Sequence, residues 1–155
     1  MKESMGLVPT LSIIIFAVVL LSGYLSFTIN YSKAYKANSK IVNIIQKHEN
    51  DVEDKSTIEE IEKYLESINY NASTEYTEKC PDEGYTVSTG STNKSWCYKI
   101  ISTSDGTERE SDMIRKYVKV RTYMSIDVPL LNKILPNLNI SKVNGSTKPV
   151  MVMAK

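Results

Sequence analysis

Apolar positions fall along this chain in three rhythms, and each predicts a different kind of element. Between Glu3 and Lys33 there is no charged side chain, and Leu11 to Leu21 is almost wholly apolar. As a helix, Leu7 to Ile29 reaches about 35 Å, enough to cross a hydrocarbon layer ~30 Å thick. From Tyr31 the pattern turns one-sided. Ala34, Tyr35, Asn38, Ile41, Val42 and Ile45 keep three- and four-residue spacing, with Ser32, Lys33, Lys36, Lys40 and Asn43 between them. No Gly or Pro interrupts Tyr24 to Asp51. The spacing therefore predicts one unbroken helix, a membrane anchor over 1–30 that continues over 31–49 as the spine of a domain spanning 31–155.

A charged break over Asn50 to Lys55 precedes the second helical pattern. Ile58, Ile61, Leu65 and Ile68 recur at helical spacing, with Glu59, Glu60, Glu62, Lys63 and Glu66 facing away. Ser56 with Glu59 three residues on reads as a capping box, which predicts a helix over 57–68 with Ser56 at its N-cap.

From Asn69 the composition shifts to Ser, Thr, Tyr and Asn, and a β-region is expected over 70–153. Tyr85 to Thr89 and Trp96 to Ile101 are candidate strands, and Asp105 with Gly106 is a turn signal. The clearest strand runs from Tyr117 to Val128. Val118, Val120, Thr122, Met124, Ile126 and Val128 share one face, with Tyr117, Lys119, Arg121, Tyr123, Ser125 and Asp127 on the other. Such alternation suits a strand with one buried side. Pro129 ends it. Leu138 to Val143 and Ser146 to Met153 read as a terminal hairpin turning at Asn144 and Gly145. The fold class expected is α+β: a long N-terminal transmembrane-plus-amphipathic helix packed on a small antiparallel sheet, with a second short helix.

Composition sharpens this picture in two places. Without the anchor about 120 residues remain, enough for a single modest core. The net charge of +1 hides a segregation. Acids dominate from Lys47 to Asp112, whereas after Met113 Asp127 is the one acid against eight Lys and Arg residues. Two such halves are either faces that meet between subunits or neighbours within one fold. For the apolar segment the rival reading is a cleaved signal peptide cut near Ser22 and Gly23; its length and its continuation into a patterned helix favour a retained anchor.

Candidate chemistry is sparse. His48 is the sole histidine, and at a helix end it reads as a capping or surface residue favoured by the helix dipole. The chain has no phosphate-binding glycine loop and no zinc-protease or nucleophile-elbow motif. The acids at Glu59, Glu60, Glu62 and Glu66 spread over a helix surface. No catalytic constellation, cofactor or metal site is expected. Cys80 and Cys97, the two cysteines, either form a disulfide closing a loop of roughly 15–20 residues or remain thiols in a reducing compartment. Tyr70, Tyr76, Tyr85, Tyr98, Tyr117 and Tyr123 are expected in half-buried or cross-strand positions. The basic, aromatic run Tyr117 to Arg121 is a weak nucleic-acid signal, and no nucleic-acid partner is expected.

The layout resembles type IV pilin-like proteins, and in particular the minor pseudopilins of tight-adherence (Tad) pili and related filaments. The residues that carry the resemblance are Met5, Gly6, Leu7, Val8 and Pro9, the run on to Tyr35, and the late strand Val118 to Pro129. The resemblance implies a prepilin-type cleavage between Gly6 and Leu7. It also implies a role as a non-enzymatic, single-pass subunit whose partners are membrane lipid, other pilin-like subunits or their assembly machinery. Such families carry a Glu at mature position five, whereas here that position is Leu11, which points to an initiating or accessory subunit or to an unprocessed anchored relative. Ser22, Gly23 and Ser26 offer a small-residue face for helix packing. Lys33, Lys36, Lys40 and Lys47 follow the span, so the positive-inside rule places the domain in the cytoplasm. Cysteine usage and the resemblance place it outside, and the outward orientation is the expectation carried forward. The competing functional reading is a tethered binding or sensing module that never polymerises.

Overall fold

The computed structural model describes residues 4–70, 80, 84–87, 95–104, 113–125 and 140–153. Helix α1 spans Ser4–Lys47, 44 residues and about 66 Å, without a break. The expected continuity between the apolar and amphipathic halves is what the chain adopts. Helix α2 covers Lys55–Ser67. The strands are β1 (Thr86–Val87), β2 (Trp96–Ser104), β3 (Met113–Ser125), β4 (Ile140–Ser146) and β5 (Val150–Met153). They form one antiparallel sheet in the order β1-β2-β3-β4, with β5 also on β3. The fold is α+β, with α1 lying across one face of the sheet.

The second half of α1 supplies the core stripe that its spacing predicts. Ala34, Ala37, Ile41 and Ile45 are fully buried, and Ile44 nearly so. They meet Trp96 and Tyr98 of β2, Val118 and Val120 of β3 and Val143 of β4, with Ile61 and Leu65 of α2 closing the cluster. The two alanines let the helix axis come close to the sheet. Asn38, on the same stripe, is 4 % exposed, and its Nδ2 donates to Val120 O at 3.3 Å and Val143 O at 3.1 Å. One amide thus straddles the seam between β3 and β4.

That seam corrects the expected terminal hairpin. Asn144 and Gly145 do not turn the chain; they lie inside β4, opposite Arg121 and Val120. β5 pairs with β3 further along, from Lys116↔Val150 to Met113↔Met153, so β4 and β5 line the same edge of β3 in succession. The break between them is Thr147 to Pro149, where Pro149 has no N–H for a ladder. Thr147 bridges it, its N–H donating to Val118 O at 2.9 Å and its Oγ1 accepting from Val118 N–H at 2.9 Å. Gly145 is needed for space. A Cβ there would sit 2.1 Å from Asn38 Oδ1 and 3.1 Å from Val42 Cγ2.

Both helices end on an asparagine in the left-handed region. Asn50 (φ 62°) closes α1 with its N–H on Ile45 O, and Asn69 (φ 47°) follows α2, where Tyr70 N–H reaches Leu65 O. Asn50 is fully buried, and its Nδ2 donates to Lys116 O and Lys148 O, which ties the turn to the sheet. At the start of α2 the expected capping box is absent. Asp54 is the N-cap, and Ser56 sits inside the first turn with its hydroxyl donating to Asp54 Oδ2. The helix begins early, with the Thr57 and Ile58 N–H groups donating to Asp54 O, and Thr57 lies in the core one turn before Ile61. Asp105 and Gly106, Pro129, Tyr76 and the strand positions beyond Ser125 lie outside the described residues.

Replacing Gly145 by Ala is expected to destabilise the protein by about 1–3 kcal/mol through overpacking against Asn38. Asn38→Ala alone leaves the seam carbonyls without their donor and costs about 1–3 kcal/mol. In the double variant the penalties do not add, because the shortened side chain makes room for the new methyl group. Denaturant unfolding of the full chain in detergent, followed by fluorescence of the sole tryptophan, Trp96, checks all three.

Candidate functional site

The first half of α1 has no core to join. From Leu11 to Ile29, over about five turns, large apolar side chains such as Ile13, Phe16, Leu21 and Leu25 stand 58–67 % exposed, and only the side of Gly23, Ser26 and half-buried Phe27 is turned toward the head. A water-facing surface of that extent is not sustained by a soluble monomer. Among the described residues α1 is the helix long and apolar enough to cross a membrane, by length and composition. Hydroxyls within it are satisfied locally: Ser22 Oγ donates to Val18 O and Thr28 Oγ1 to Tyr24 O, each at 2.8 Å. Such back-bonding lets a hydroxyl sit in an apolar surrounding without an orphaned proton. Gly6 and Leu7 lie in the first two turns of α1. Ser22, Gly23 and Ser26 lie near its middle, where Ser22 is exposed, Ser26 half-buried and Gly23 buried.

A polar latch fixes the far end of the rod. His48 follows the last residue of α1 and is 24 % exposed at its side chain. Its Nε2 lies 3.0 Å from Glu60 Oε2, and its Nδ1 lies 3.9 Å from Asp54 Oδ2. Lys47 Nζ meets both Glu60 oxygens at 3.0 and 3.1 Å. The expected capping or surface histidine is instead a strut between α1 and α2, and Glu60 leaves the solvated face assigned to it. Hydrogen bonds from His48 first and Lys47 second hold the Glu60 carboxyl below the usual carboxylate range. The stabilisation this gives is present at neutral pH and lost as pH falls through the lowered value.

The opposite face of the sheet carries the disulfide. Cys80 and Cys97 are bonded across 17 positions and fully buried. Tyr123 is 4 % exposed, and its hydroxyl lies 3.6 Å from each sulfur. Tyr85 and Val87 pack on this cluster. Arg121 is 6 % exposed, stacks 4.1 Å from the centre of the Tyr85 ring and donates from Nε to Asn144 Oδ1 at 2.9 Å. A strand with one buried side was the expectation for β3. At this end both sides are buried, because Cys80, Tyr85 and Val87 pack over the face holding Arg121 and Tyr123. Sequence alternation shows a polar face here, and the covering segment is the long-range fact it lacks. The one local clue is Cys97 itself, which shares that face.

Tyr70 joins α2 to the sheet through its hydroxyl, which donates to Tyr123 O. Tyr70 and Tyr98 are buried, and Tyr85 and Tyr117 half-buried. Burial pushes the Tyr70 phenol up to about 12 and raises that of Tyr98 as well. Among the described residues no group of three or more His, Cys, Asp or Glu side chains gathers as a metal site would require.

Two outcomes follow for the head. The neutral Tyr70 phenol is the form the fold holds, so its contribution is complete below the ordinary value of 10.0 and is lost as pH rises from there toward about 12. A stability profile across that window is expected to fall, and to fall less steeply in Tyr70→Phe. Removing the disulfide by changing Cys80 and Cys97 together to Ala is expected to cost about 3 kcal/mol for a loop of this length, measured by denaturant unfolding.

What stands is an α+β head with a buried disulfide, as suits an extracytoplasmic domain, on an N-terminal helix with the length of a membrane anchor or signal. No family model matches this chain, and neither a curated protein nor a solved structure matches it.

Proposed function

We propose that the chain is a non-enzymatic, membrane-anchored pilin-like subunit, of the minor pilin or pseudopilin kind, in an extracellular filament or secretion assembly. The observation that carries this reading is the rod. One helix carries exposed apolar side chains from Leu11 to Ile29, and five residues further, at Ala34, it is fully buried in the head. A domain that needs only tethering is served by any flexible linker. A helix shared rigidly between lipid and head does more, since packing the apolar halves side by side sets the angle and spacing of every head. Lipid holds the helix before assembly, and like subunits or assembly machinery replace lipid around it afterwards.

The disulfide supports a head on the oxidising side of the membrane. Gly6 and Leu7 are the proposed processing site, and cleavage there leaves a mature chain that starts within the apolar run. Leu11 at mature position five, where the resembled families hold Glu, favours an initiating or accessory subunit over a major polymerising one. That same residue is the observation behind the second reading, a tethered binding or sensing module that does not assemble.

Amine-reactive cross-linking of membranes carrying the full chain separates the two. A ladder of oligomers together with a mature amino terminus at Leu7 is expected for the subunit. Monomers alone, with Met1 retained, identify the tethered module, and a start near Tyr24 identifies a secreted domain cut from a signal.

A further inference from the structure

The five strands hold no Asp or Glu, and nearly all their cations gather on one side. Directly paired residues of an antiparallel ladder share a face. Lys99 stands opposite Lys119, Cys97 opposite Arg121 and Lys142 opposite Tyr123, and Arg115 lies four residues before Lys119 on the same side. These cations face away from α1, on the side of the disulfide. Lys99 and Lys119 are half-buried like charges set directly against each other, which is unfavourable unless an anion lies between them. Among the described residues neither has a carboxylate partner. Beside Lys119 is a recess of about 280 Å³, lined also by Tyr85, Asn144, Gly145 and Ser146.

The turn between the helices has the opposite sign and lies on the α1 side of the sheet. Glu49, Asp51, Glu53 and Asp54 are exposed carboxylates within six residues. Lys116, on the helix-bearing face, lines a cleft with Glu49, Asp51 and Asp54, whereas the outer-face cations lie behind the sheet from them. Among the described residues neither Glu49 nor Glu53 has a cation in ion-pair contact. We propose that the basic outer face of the sheet in one copy receives the acidic turn, residues 49–54, of a second copy. The proposal rests on the assembly reading and names the head surfaces through which neighbours meet.

The balance of charge identifies the occupant as the same chain. A foreign anionic partner would satisfy the outer face and leave the turn unanswered. A second copy answers both, and a net charge of +1 is what such self-complementarity leaves. The two surfaces point to opposite sides of the sheet, so one chain cannot close them on itself and a two-fold pair cannot engage both at once. The contact is therefore heterologous, and each pair keeps one unused surface of each sign for the next copy. Exposed ion pairs are individually weak, so these faces select partner and orientation while helix contacts in the membrane supply the hold.

A carbodiimide joins a carboxylate to an amine only where the two touch, and it tests the contact on the unaltered full chain in membranes. Linked peptides are mapped separately in the monomer and dimer bands. Expected in the dimer band alone is Lys99 or Lys119 joined to Glu49, Asp51, Glu53 or Asp54. Dimers joined only elsewhere overturn the inference, as does an amine-reactive ladder with no carbodiimide dimer, and both leave assembly standing. Monomers with both reagents remove assembly as well. Charge exchange reads the same contact independently. One tagged chain carries Lys99→Glu with Lys119→Glu, and a second carries Glu49→Lys with Glu53→Lys. Each alone is expected to lose the linked dimer, and co-expression to recover it as a mixed-tag dimer joined at the exchanged positions. Absence of that link on co-expression overturns the inference.

Discussion

Asn38 holds α1 against the sheet in the one place where glycine leaves room for it. Its amide spans two strands, and the missing side chain of Gly145 is what lets helix and sheet approach closely enough for those hydrogen bonds to form. Hydrophobic burial around it is larger in sum but non-directional; Ile41 and Ile45 would accept several sliding positions of a helix on a sheet. A buried amide that must reach particular carbonyls accepts one. Register along the rod is therefore a polar matter, and it fixes how far the apolar half of α1 stands out from the head.

The ends of the head are fastened differently, and each fastening suits its surroundings. Near the α1 terminus, Lys47 and His48 grip Glu60 on α2, an exposed arrangement that is modest in strength and sensitive to acid. The disulfide side is dry, with Tyr123 against both sulfurs and Arg121 laid on Tyr85. A nearly buried guanidinium needs both a ring face and a carbonyl to be tolerated, and Asn144 supplies the carbonyl. Asn144 and Gly145 thus serve opposite faces of the sheet from adjacent positions, one toward Arg121 and the other toward Asn38.

A head rigid in this way gives the bare helix its meaning. Were α1 hinged at the membrane surface, contacts among apolar helices would say nothing about where heads lie. In the proposed assembly, a helix running unbroken from lipid into the core would let each helix contact also place a head. Tyr31 and Tyr35 sit at that transition, exposed beside the first buried residue of the spine, Ala34. Past Ala34 the core-facing side continues as Asn30, Phe27 and Gly23, which are half-buried or buried.

Local spacing alone determined the unbroken rod, its change from all-round to one-sided apolarity, the second helix, and the strands around Trp96 and Val118. Those features depend on periodicity, and periodicity is written in neighbouring residues. Asn144 with Gly145 shows the limit: the same dipeptide that favours a tight hairpin also fits a strand crowded by a helix, and what decided was Asn38, more than a hundred positions away. Ser56 and Asp54 competed for one cap, and the packing of Thr57 into the core settled which residue lay outside the helix. Arg121 and Tyr123 alternate with Val120 and Thr122 as solvent-facing residues do, and they are buried because Cys80, Tyr85 and Val87 pack on them. In each case the tertiary structure decided by bringing up a distant partner, and the energy of a close approach or a buried hydrogen bond outweighed the weaker preference of the local sequence.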